Sequence, residues 1–72
     1  MKKGQISNNV RKLRFEHDEM TQQQLAKAVG VSRQTIVAIE KSKYSPSLEL
    51  AFLIAHTFGQ PIGDVFSFQF GG

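Results

Sequence analysis

The sequence contains no cysteine, which excludes disulfide stapling and thiolate metal sites and fits a reducing compartment. No apolar run approaches the ~20 residues that a bilayer-spanning helix needs. The basic start, Lys2 and Lys3, is followed by no apolar segment of the kind that directs secretion, so a cytoplasmic chain is expected. His17 and His56 stand apart, and neither has a ligand or a nucleophile at a suggestive spacing. Glu16, Asp18 and Glu19 crowd one polar link, where they solvate a loop more naturally than they form an acid–base pair. None of the six glycines builds a phosphate-binding fingerprint. Internal repeats and low-complexity tracts are absent as well. No catalysis, metal, cofactor or small-molecule ligand is expected, and no membrane association.

What is present bounds the rest. Seventy-two residues make one domain, 1–72, whose core is thin and whose stability is modest. Nine Lys and Arg stand against six Asp and Glu, a formal charge of +3, and the isoelectric point lies near 9.6. That balance suits an anionic partner without proving one.

The chain is organised around Met20 to Tyr44, MTQQQLAKAVGVSRQTIVAIEKSKY. Thr21 followed by Gln24 fits a capping box, in which the hydroxyl and the amide satisfy free backbone donors at a helix start. Leu25, Ala26 and Val29 then share one face. Gly30 falls where a helix ends and the backbone needs positive φ, a conformation cheap only for glycine. Val31 points back to the core, and Ser32 caps the next helix, which turns Ile36 and Ile39 inward. Helix, glycine turn and capped helix together read as a helix-turn-helix.

The exposed start of the second of these helices suggests what it touches. Arg33 can grip guanine O6 and N7 with two donors, and Gln34 can pair with adenine N6 and N7. Ser32 and Thr35 offer hydroxyls to phosphates or base edges, and Ala38 is small enough to meet a thymine methyl. On its own an Arg-Gln pair is more often a solvated helix face. Gln22, which opens the preceding helix beside free backbone N–H groups, shifts the balance because such a terminus suits a phosphate.

Around this centre, Met1 to Gly4 reads as loose and Gln5-Ile6 as a very short extended piece. Ser7 or Asn8 caps a first helix running to about His17, with Val10 and Leu13 inward, Arg11 and Lys12 in water, and Phe15 off the core face. Met20 acts as a hydrophobic staple before the Thr21 cap. Lys41 to Pro46 forms a loop with two cations. Ser47 caps a fourth helix, about Leu48 to Phe58, whose seam is Leu50, Ala51, Ile54, Ala55 and Phe58. Gly59 stops it, and Pro61 to Phe66 forms a short fifth helix in which Ile62, Val65 and Phe66 close the core. The end, Phe66-Ser67-Phe68-Gln69-Phe70, alternates with a period of two and reads as a strand over 66–70. Its phenylalanines share one face. With Leu53 on the outward side of the fourth helix, they form surplus apolar surface suited to self-association.

The motifs TQQQLA, GVSRQTI, IE and YSPSLELA are modest singly and specific together. Through them the chain from Val10 to Phe66 resembles the Cro/CI-type helix-turn-helix family of phage repressors and small bacterial regulators. The loop HDEMTQ is one residue longer than the family's commoner form. The resemblance implies an all-α, five-helix lambda-repressor-like domain that binds double-stranded DNA as a homodimer, a repressor on a near-palindromic operator. It also implies roles: Ser32, Arg33, Gln34 and Ala38 at base edges, and Thr21, Gln22, Thr35 and Lys43 on the DNA backbone. Arg14 and Glu40 match a structural ion pair. The tail resembles a smaller subgroup ending in a dimerisation strand, which places Leu53, Phe66, Phe68 and Phe70 at the interface. An N-terminal strand is available to pair with it. A second function class stays open, an antitoxin-like interaction module whose apolar tail binds another protein.

Overall fold

Where the sequence places a capping residue, a helix begins. In the computed structural model, which describes residues 4–71, α2 (Gln22–Val29) opens on a complete capping box: Thr21 Oγ1 accepts from Gln24 N at 3.0 Å, and Gln24 Oε1 accepts from Thr21 N at 2.8 Å. Ser32 and Ser47 cap α3 (Arg33–Glu40) and α4 (Leu48–Phe58) through Thr35 N and Leu50 N. Gly30 and Gly59 end α2 and α4 in the left-handed region, at φ 78° and 64°. The reading of Met1 to Lys3 as loose lies outside the described residues.

Three local expectations are corrected. The first helix, α1 (Val10–Glu16), has Asn9 at its N-cap and ends one residue before His17. Asn8 Oδ1 nonetheless accepts from Val10 N at 3.1 Å, while Ser7 bonds Ser67 Oγ at 2.8 Å instead of capping. The short extended piece is a strand, β1 (Gly4–Asn8), and Gly4 belongs to it. Finally, α5 spans only Ile62–Val65, because Phe66 is already extended (φ −124°, ψ 143°) and begins β2 (Phe66–Phe70).

The fold is therefore not all-α. Five helices accompany a two-stranded antiparallel sheet in which β1 pairs with β2 of the same chain, from Gly4 opposite Phe70 to Asn8 opposite Phe66. A Cβ on Gly4 would overlap the Phe68 ring and lie 2.8 Å from the Gln69 carbonyl oxygen, so glycine lets that ring lie across the strand. The helices close on Val10, Leu25, Ile36, Ile39, Ile54 and Val65, all essentially without solvent contact. Met20, Val31, Ile62 and Phe66 pack around that cluster. Phe66 thus closes the core, though from a strand.

Candidate nucleic-acid interface

Since Ile36 and Ile39 are buried, the 3.6-residue period turns Gln34, Val37, Ala38 and Lys41 away from the core and leaves Arg33 at the leading edge. Arg33 and Gln34 are exposed, while Val37 and Ala38 are half-buried. Ser32 Oγ, besides capping, lies 3.1 Å from Thr35 Oγ1, so these two hydroxyls engage each other at the helix start. Behind α3, Ser42 N and Lys43 N donate to Ile39 O and Ala38 O, both at 2.9 Å, with Ser42 at φ 58°. This double closure holds the exposed Lys43 against the helix C-terminus, where a cation is favoured.

Arg14 and Glu40 join α1 to the last turn of α3. Arg14 Nε donates to Glu40 Oε2 at 2.6 Å and Nη2 to Oε1 at 3.1 Å, while Nη1 donates to Met20 O at 2.7 Å. The two side chains are only 15% and 8% exposed, so the pair is largely shielded. Gln22, expected on phosphate, is half-buried, and its Nε2 donates one N–H to Glu40 Oε1 at 3.1 Å. Thr21 is exposed. Its oxygen accepts within the capping box, which leaves the hydroxyl proton free to donate outward.

Leu53, Phe66, Phe68 and Phe70 do not behave alike. Phe66 is half-buried in the core. Phe68 and Phe70 are 46% and 83% exposed and meet edge to face, with ring centroids 4.8 Å apart. Leu53 is exposed on α4.

One wall of this surface has no clear signal in the sequence. Arg33, Val37 and Lys41 line an open groove together with Arg11, Lys12 and Phe15 of α1. The spacing of four on α3 carried the signal for Val37. The α1 residues carried none, since cations on a helix face read as ordinary solvation.

A helix-turn-helix family model matches residues 11–65. An uncharacterised HTH-type transcriptional regulator of Methanocaldococcus jannaschii is 53% identical over 64 residues, spanning 89% of this chain and 96% of its own length. The transcriptional repressor RstR of the cryptic phage CTXphi in Vibrio cholerae is 38% identical over 62 residues, 86% of this chain and 55% of RstR. Among solved structures, the transcriptional regulator VanUg superposes with a TM-score of 0.77 at 26% identity, covering 99% of this chain and 93% of that one.

Proposed function

The chain belongs to the helix-turn-helix family of DNA-binding transcriptional regulators, and from that membership we propose that it is a sequence-specific repressor acting as a homodimer on a near-palindromic operator. The observation that carries the reading is the contrast within α3. Its last turn is clamped by the Arg14–Glu40 pair, while Arg33 and Gln34 stand exposed at its first turn. A helix fixed at the rear and free at the front suits insertion into the major groove with its first residues at base edges. There Arg33 would read guanine and Gln34 adenine, with Ser32 and Ala38 beside them. Thr21, Thr35 and Lys43 would hold phosphates. Gln22 would contribute its backbone N–H at the α2 terminus, its side chain being engaged with Glu40.

The homodimer rests on the exposed Phe68 and Phe70 and on β2, whose outer edge has no partner strand among the described residues. Strand edges seek partners, and a two-fold axis would let two tails meet. Two recognition helices held about 34 Å apart would meet successive major grooves on one face of the duplex.

The test begins with duplexes selected from a random pool by the pure protein. Arg33→Ala should weaken the selected duplex by about 1–3 kcal/mol and relax preference at one base pair. Lys43→Ala should weaken selected and random duplexes alike and lower the salt slope by about one. Equal loss on both duplexes for Arg33→Ala would reduce Arg33 to a phosphate contact and overturn the base-reading assignment.

A further inference from the structure

Arg33, Val37 and Lys41 form a stripe along α3 that lines one side of an open groove of about 1130 Å³. Helix α1 lines it with Arg11, Lys12 and Phe15, and the first residues of α2 contribute Gln22 and Gln23. The Arg14–Glu40 pair, which joins α1 to α3, also lines it and neutralises itself. What remains is Arg11, Lys12, Arg33 and Lys41, all exposed, against Glu19 alone. The groove therefore carries a strongly positive balance on a chain whose formal charge is only +3.

Phe15 sits among these charges and is 68% exposed, so the core gains little from it. It follows Arg11 by four residues and Lys12 by three, which puts all three side chains on one helix face. Cations interleaved with an exposed ring suit a ligand in which anionic and apolar groups alternate. A sugar–phosphate strand has that alternation. The dimensions agree, since a helix with its side chains is roughly 10–12 Å across and a major groove is about 12 Å wide. A helix lying in that groove must therefore have a backbone strand along its flank. On the α1 side of α3, the space for that strand is this groove.

We propose that the groove seats one sugar–phosphate strand of the duplex whose base edges α3 meets. Arg11 and Lys12 hold phosphates from α1, Lys41 holds one from the end of α3, and the Phe15 ring packs on a deoxyribose between them. This rests on the DNA-binding reading above and extends it to residues on α1 that the helix-turn-helix itself does not include. Val37 lies where the strand meets the bases, half-buried between Arg33 and Lys41.

The experiment measures duplex affinity by fluorescence anisotropy across a range of NaCl concentrations, on the selected and the random duplex. Arg11→Gln, Lys12→Gln and Lys41→Gln should each lower the slope of log K against log salt by about 0.9 and weaken both duplexes by the same factor, roughly 3- to 10-fold. Phe15→Ala should weaken both with the slope unchanged. Lys27→Gln, an exposed cation outside the groove, should leave affinity and slope at the wild-type values. If wild type prefers its selected duplex and the groove variants keep wild-type slopes, the groove proposal fails while the base-reading one stands. If wild type binds no duplex, both fall. A Phe15→Ala protein with wild-type affinity removes the sugar contact and leaves a purely electrostatic groove.

Discussion

Replacing Glu40 by alanine tests whether the shielded ion pair holds the recognition helix on the scaffold. The Glu40 carboxylate accepts from Arg14 Nε, Arg14 Nη2 and Gln22 Nε2. On its removal the Gln22 amide, on the half-buried rim, can turn to water at little cost. Arg14 keeps Met20 O but loses its counter-ion, and with 15% of its side chain exposed water replaces that partner poorly. Stranding one member of a buried pair costs about 3–5 kcal/mol. The residual exposure places the expected loss at the lower end, about 3 kcal/mol. A domain of this size has roughly 4–11 kcal/mol in total, so the loss is a large fraction of it. It should lower Tm by roughly 12–24 °C. Urea unfolding followed by circular dichroism, at one fixed protein concentration, reads the change directly. Arg14→Met with Glu40→Leu should recover most of the loss, because neither charge is then left alone. A Glu40→Ala protein within about 1 kcal/mol of wild type would refute the argument, since that is the worth of an exposed surface pair.

Two further outcomes are expected. Glu19 sits at φ 55° beside Asp18 at 57°, where a side chain costs about 1–2 kcal/mol; Glu19→Gly should therefore raise the unfolding free energy read from urea titration by about 0.5–1 kcal/mol after the glycine's greater unfolded freedom, and a fall would show the loop to be unstrained. Phe68→Ser with Phe70→Ser should shift sedimentation equilibrium of the proposed dimer to monomer at micromolar concentration, and an unchanged mass would remove the tail from the interface.

The parts legible in the sequence are those whose causes lie within a few residues. Thr21 with Gln24, Ser32, Ser47, Gly30 and Gly59 each settle a helix end through a bond or a dihedral three or four positions away, and local and global preferences agree there. Strand β1 has no such signal. GQISN offers one large apolar residue, Ile6, and its extended state depends on Phe68 some sixty positions later. Phe66 was ambiguous for a related reason: an apolar residue can close a core from a helix or from a strand, and only the β1 pairing decides. The Gln22–Glu40 bond spans eighteen positions, so no local pattern announces that one N–H of this amide is engaged by Glu40. In the groove, Arg11 and Phe15 gain meaning only when α1 is placed beside the Arg33–Val37–Lys41 stripe.

The asparagines before α1 connect these pieces. Asn8 Nδ2 donates to Ile39 O at 2.9 Å, and its Oδ1 accepts from Val10 N at 3.1 Å. Asn9 donates from N to Val65 O and from Nδ2 to Asp64 O, at 2.9 and 3.1 Å. The end of the sheet at Asn8 and Phe66 is thus fastened to the start of α1, the end of α5 and the last turn of α3. Ile39 O is one of the terminal carbonyls that a helix cannot satisfy from within; it takes the Asn8 amide together with Ser42 N. The side-chain tethers of α3, Asn8 to Ile39 and both Arg14 and Gln22 to Glu40, therefore all act on its final turn. They lead to the sheet, to α1 and to α2, so the helix direction is set by three elements at once, while among the described residues its first turn carries no such tether. In the proposed dimer, contacts made by the sheet would be transmitted to α3 through a short polar bridge rather than through a flexible linker. The separation of two recognition helices, and with it the spacing of operator half-sites, would then follow from how the two sheets meet.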